Sequence, residues 1–144
     1  MVLTPSILVK ATGCSTKNSE VYALVLQEIF EVYEINTLNR VADFLAQVSH
    51  ESGSFRWTKE IWGPTTAQRT YEGRVNLGNT QPGDGFRYLG RGILQVTGRA
   101  NYKELRDRLR KRLGDVVPDF ELNPEELENP KWSAYAAGEY WASR

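Results

Sequence analysis

The sequence predicts a mainly α-helical single domain with a long glycine-rich middle segment and at most short strands. Three observations lead there. Apolar residues recur at helical spacing over residues 19–33, 38–51 and 101–113. Residues 53–92 are instead broken by glycines and turn formers. No repeat, low-complexity tract or linker divides the 144 residues, 40% of them hydrophobic. A chain of that size supports one core rather than two, so one domain is expected over 1–144 with no second module.

Each element has its own signal. Residues 19–33 read as an amphipathic helix with Val21, Leu24, Val25 and Glu28 or Ile29 on one stripe. After the turn "EINT", residues 38–51 form a second helix that buries Val41, Phe44, Leu45 and Val48, with Asn36 or Thr37 as its N-cap. "GNTQPGDG" at 78–85 is dense in turn formers and reads as an irregular loop. The only strands expected are short ones around 86–88 and 93–96. Residues 101–113 form a third helix with Tyr102, Leu105, Leu109 and Leu113 inward. "NPEEL" and "NPKW" each place a capping Asn before a Pro at the first helical position, and the second opens a last helix.

Composition excludes several classes of function. Eighteen basic and 18 acidic residues cancel, so there is no global field to attract nucleic acid. Cys14 is the only cysteine, which excludes an intrachain disulfide and multi-thiolate zinc sites. His50 is the only histidine, which excludes multi-histidine zinc centres. No metal or cofactor is expected. The N-terminal stretch has too short an apolar run for a signal peptide, and nothing is long enough to span a bilayer. Nothing in the composition points to an oligomer, and a monomer is expected. Helix 101–113 carries Lys103, Arg106, Arg108, Arg110, Lys111 and Arg112, so it is either a solvated face or a weak contact for an anionic membrane.

The stretch "FLAQVSHESGSFRWTKEIWG" at 44–63 carries the candidate chemistry. Glu51 falls one turn beyond Val48, at the edge of the buried stripe. A carboxyl group there is expected to be partly desolvated, which favours the neutral form that a general acid needs. Glu60 follows in a segment able to fold back across a cleft. Paired carboxylates of this kind hydrolyse glycosidic bonds: one protonates the leaving oxygen, and the other activates water or attacks directly. Trp57, Trp62, Tyr71 and Tyr88 lie around the pair in sequence and suit sugar faces. Spacing alone fits equally well a helix end followed by a solvated acid.

Longer words separate the two readings. "AQVSHESGSF" (46–55), "YEGR" (71–74) and "NTQPGDGFRYLGRGILQVTGRANY" (79–102) resemble the family 19 glycoside hydrolases, and within them the phage endolysin branch that cleaves bacterial peptidoglycan. The resemblance runs from about residue 38 to 141. It implies a lysozyme-like fold in which Glu51 is the general acid, Glu60 the base, and Thr97 the hydroxyl that holds the attacking water. It implies a sugar cleft lined by Gln95 and Asn101, with His50 preceding the acid; Tyr88, Arg91 and Tyr102 complete the expected substrate-binding set. The family inverts at the anomeric carbon, so direct water attack is implied, with the carboxyls roughly 6.5–9.5 Å apart. Glu72 is a weaker candidate for the base, Asp84 is expected to cap its own turn, and Arg87 and Arg91 to anchor the loop or tune Glu60. The implied substrate is the glycan strand of peptidoglycan, with no separate cell-wall-binding module. The implied location is the host cytoplasm, with release to the wall through a holin. Related endolysins continue past the "YWASR" stretch (140–144) with further helical turns and an Asn-Gly-Gly segment. The rival readings are a lytic transglycosylase, a chitinase, and a wall-sugar-binding module without catalysis.

Overall fold

A computed structural model describes residues 2–56 and 58–144. The described chain is mainly helical, and its only β pairing is two isolated bridges, Lys59 with Arg91 and Arg91 with Val96. The helices are α1 (Pro5–Thr12), α2 (Thr16–Val32), α3 (Leu38–Ser52), α4 (Thr66–Arg69), α5 (Asp84–Arg87), α6 (Arg99–Leu113) and α7 (Pro130–Ala142). Short 3₁₀ turns span Val75–Leu77 and Pro124–Glu128. Helix α2 packs on α1 and α7, and α7 packs on α6.

Local chemistry sets the helix ends. The Thr37 side chain accepts from the Arg40 amide to start α3, and Gly53 ends it at φ 58, where a side chain would be strained. All four apolar residues expected on α3 are buried. Asn129 caps α7 ahead of Pro130. Tyr102, Leu105 and Leu109 face inward from α6, and Leu113 is half-buried.

Three expectations need correction. Helix α1 was not anticipated, although Thr4 caps it, Pro5 opens it and Gly13 closes it. Helix α2 turns a different face inward: Tyr22, Ala23, Leu26, Ile29 and Phe30 are buried, whereas Val21 and Leu24 are exposed. Two partners, α1 and α7, decide that face, and the larger aromatic stripe wins the burial. The strand-like stretch at 86–88 is partly taken up by α5, and residues 93–96 form a turn that ends in the Val96–Arg91 bridge.

An ion-pair network fastens the middle segment to α6. Arg99 meets buried Asp84 with two donors, Nε to Oδ2 at 2.9 Å and Nη2 to Oδ1 at 2.8 Å, and reaches Glu121 at 3.1 Å. Arg106 pairs with Asp107, Asp119 and Glu121. Arg108 pairs with Glu104, Arg112 with Glu139, and Arg110 donates to the Val117 carbonyl. These four arginines of the basic helix therefore all bond within the chain.

The Arg99 guanidinium beside Asp84 holds its carboxyl below the ordinary carboxylate range, against the opposing effect of burial. A lowered folded-state value adds stability above the unfolded value near pH 4 and loses it as pH falls through the folded value. Urea midpoints are therefore expected to stay flat above about pH 4 and to fall below it. Replacing Asp84 with Ala is expected to cost roughly 3 kcal/mol, the low end for a broken buried pair, and to make that acid slope shallower. An unchanged slope in the variant would assign the acid sensitivity elsewhere.

Candidate active site

Glu51 sits in the last turn of α3, exposed to solvent. This exposure replaces the partial desolvation expected for it: Glu51 stands at the open edge of a groove, while its neighbour Ser52 is buried. No described residue makes a hydrogen bond or ion pair with its carboxylate. It lines a groove of about 530 Å³ together with Gln95, Thr97, Asn101, Glu139 and Tyr140.

Glu60 is placed by backbone pairing. Its amide donates to the Gly90 carbonyl at 2.7 Å, and the Gly92 amide donates to the Thr58 carbonyl at 2.8 Å. Its carboxylate then receives three donors. The Gly90 amide reaches Oε1 at 2.8 Å, while Gln68 Nε2 and the Tyr71 hydroxyl each reach Oε2 at 3.0 Å. Burial, and then the bond to Glu60, push the Tyr71 phenol above its ordinary range, so it remains a donor at neutral pH. Gln68 is itself locked in a capping box: its Oε1 accepts from the Thr65 and Gly63 amides. Trp62 packs near Tyr71 and Phe86, at 6.2 and 5.3 Å between ring centroids. Trp57 lies outside the described residues.

Gly90 is where the parts meet. A Cβ added there would lie 2.9 Å from Gln95 Oε1, 3.2 Å from Glu60 Oε1 and 3.3 Å from Thr97 Oγ1. Three polar groups thus converge on one bare Cα. Gln95 is held at φ 55, outside the usual range for a side-chain-bearing residue, with its amide donating to the Gly92 carbonyl at 2.9 Å. The Thr97 hydroxyl donates to the Gln95 carbonyl at 2.9 Å, which leaves its lone pairs free to accept from a water. Asn101 Nδ2 secures the Thr97 carbonyl at 2.7 Å. Glu60 does not line the groove that Glu51 lines; Gln95 and Thr97 line that groove and also converge with Glu60 on Gly90.

This convergence makes Gly90→Ala informative. The added methyl displaces Gln95 and crowds a Glu60 that three donors hold in place. Turnover is expected to fall roughly ten- to a hundredfold, the scale of a small misplacement at a reacting centre, with little change in melting temperature. Unaltered turnover would separate these three groups from the chemistry.

Four residues expected to contact substrate are placed elsewhere. Tyr88 and Tyr102 are fully buried; their hydroxyls donate to the Glu121 and Leu89 carbonyls at 2.5 Å each. Arg91 is buried and turned away, with Nε on Glu128 at 3.0 Å and Nη1 on the Arg87 carbonyl at 2.7 Å. It anchors the loop. His50 lines a separate cavity with Asp43, Trp141 and Arg144, because successive helical residues point about 100° apart. Glu72 accepts from the Gly83 and Gly85 amides at 2.8 and 2.9 Å and pins the "PGDG" turn, which explains its place in the motif without chemistry. Asp84 does accept from the Gln81 amide within its own turn, as expected, but its main partner is Arg99. Among the described residues no cluster of His, Cys, Asp or Glu is arranged to hold a metal.

Sequence reading missed Gln68 and Glu139. Gln68 had a signal, the Thr-x-x-Gln capping pattern at 65–68, although nothing local pointed from it to Glu60. Glu139 lies in a helix whose neighbours are alanines and aromatics, and had none.

Solved structures with the same architecture include chitinase C from Streptomyces griseus HUT6037, at TM-score 0.66 and 22% identity over 97% of this chain and 54% of that one. Another is a bacterial family 19 chitinase described as differing from plant enzymes, at TM-score 0.66 and 23% identity over 98% of this chain and 67% of that one. The fold is that of the family 19 chitinases. A protein of Haemophilus influenzae described as containing a glycosyl hydrolase family 19 domain is 32% identical over 126 residues, covering 69% of this chain and 61% of that protein. The chain thus spans about three-fifths of that relative. No protein-family model matches the chain. In this family 19 chitinase fold, Glu51 closes α3 and Glu60 occupies the pairing segment across Gly90.

Proposed function

We propose that the chain is a glycoside hydrolase that cleaves the β-1,4 bonds between amino sugars of peptidoglycan, acting as an endolysin. The convergence of Glu60, Thr97 and Gln95 on Gly90, with Glu51, Gln95 and Thr97 lining one groove, carries the reading. Glu51, which has no hydrogen-bond or ion-pair partner among the described residues, protonates the leaving oxygen. Glu60, fixed by three donors, takes a proton from water, and the Thr97 hydroxyl orients that water without adding charge. Water attacks directly, and the configuration inverts. The endolysin assignment rests on the "HESGSF" and "NTQPGDG" wording. Release from a host cytoplasm through a holin belongs to the same reading.

A chitinase is the second reading, because the solved structures of this fold described above are chitinases. Both are tested by offering purified murein sacculi and chitin oligomers in parallel and following the fresh products by proton NMR. The proposal expects reducing ends from murein, first in the α form. Products from chitin alone would support the chitinase. Anhydro ends would show a transglycosylase, which does not need Glu60 or Thr97.

A further inference from the structure

Helix α7 carries an acid that the mechanism above does not use. Glu139 is 7% exposed and lines the same groove as Glu51. One of its oxygens is fully engaged: Oε2 accepts from the Tyr33 hydroxyl at 2.5 Å and from Arg112 Nε at 2.7 Å. Oε1 accepts from no described residue. The Arg112 guanidinium also stacks over the Tyr33 ring at 4.5 Å, so the two donors are fixed relative to one another. Next to it, Gly138 admits the Tyr33 ring against the backbone, since a Cβ there would lie 2.2 Å from Cε2. The carboxylate is therefore oriented from behind, and its charge is met by Arg112.

We propose that Glu139 is a substrate-binding residue whose Oε1 accepts a hydrogen bond from a neutral donor of the amino sugar in the groove, a hydroxyl or an acetamido N–H. The assignment rests on the glycan reading of that groove. A carboxylate already paired with a guanidinium has little charge left for a cation, but it keeps an acceptor lone pair. Oε1 faces the open groove, and a sugar that covered it without offering a donor would leave a buried acceptor unpaired, so a sugar that supplies the donor is favoured over one that lacks it. The Glu104–Arg108 pair on the same groove wall is exposed and internally matched, and offers no such unfilled group.

Glu139→Gln tests this because the back of the site fixes the orientation of the amide. Two donors occupy the Oε2 position, so the glutamine must place its carbonyl there and turn its NH₂ to the groove. Acceptor becomes donor with the shape retained. The probe is a soluble tetramer of β-1,4-linked N-acetylglucosamine, with binding measured by calorimetry in the Glu51→Gln background to prevent turnover. Adding Glu139→Gln is expected to weaken binding about tenfold, the size of one lost hydrogen bond to a charged group. In the otherwise native chain it raises KM while kcat changes little. Equal affinity with and without the second change overturns the inference, whatever happens to the melting temperature, and leaves the proposed hydrolysis intact. A tenfold loss alongside a native chain that releases nothing from murein or chitin keeps Glu139 as a sugar contact and overturns the hydrolysis. No tetramer binding by either variant overturns the Glu139 inference and leaves hydrolysis of murein to the product test above.

Discussion

Glu51→Gln is expected to lower glycan hydrolysis by roughly 10²–10⁴-fold, the contribution of one positioned general acid. The fold should not register the change. Glu51 is exposed at the end of α3 and makes no hydrogen bond or ion pair within the described chain, so its replacement belongs with surface substitutions, within about 0.5 kcal/mol of neutral. Activity and stability therefore separate at this residue, which few catalytic groups allow. In the proposed mechanism the dry surroundings of this acid come from the glycan, which would displace water from the groove as it binds. Full activity in Glu51→Gln, or loss only through unfolding, would remove it from the mechanism.

Glu60→Gln is expected to reduce turnover by a similar factor, roughly 10²–10⁴, but with a different accompaniment. Gly90, Gln68 and Tyr71 all donate to this carboxylate, and a glutamine sets an NH₂ against at least one of them. An unmatched donor costs about 1–3 kcal/mol. A melting curve should therefore shift for Glu60→Gln and not for Glu51→Gln. Tyr71→Phe, which deletes one donor and keeps the ring, is the milder control. If Glu60→Gln were stable and fully active, a mechanism with a single acid, such as transglycosylation, would replace the hydrolytic one.

The contrast between the two glutamates bears on what the sequence could reveal. Helix α3 was legible because its cap, its apolar stripe and its terminal glycine all agree, and that placed Glu51 at a helix end. Helix α2 was misread because two apolar faces compete within it, and only the packing of α1 and α7 decides between them. The glycine-rich segment was legible as motif and not as geometry. Residues 88, 90 and 91 are neighbours in one word, yet Tyr88 and Arg91 turn into the core while Gly90 opens onto the candidate site. Adjacency in a motif does not say which side a residue serves. The donors to Glu60 come from positions 68, 71 and 90, brought together by backbone pairing of 58–60 with 90–92, a long-range contact with no local signature.

The central claim is that Glu51 leads hydrolysis of a glycosidic bond in murein. Mass spectrometry of the soluble products from purified sacculi, with the native chain and Glu51→Gln side by side, tests it most directly. The account predicts muropeptides with reducing ends from the native chain and essentially none from the variant. Equal release by both, or bound protein that releases nothing in either case, would contradict it.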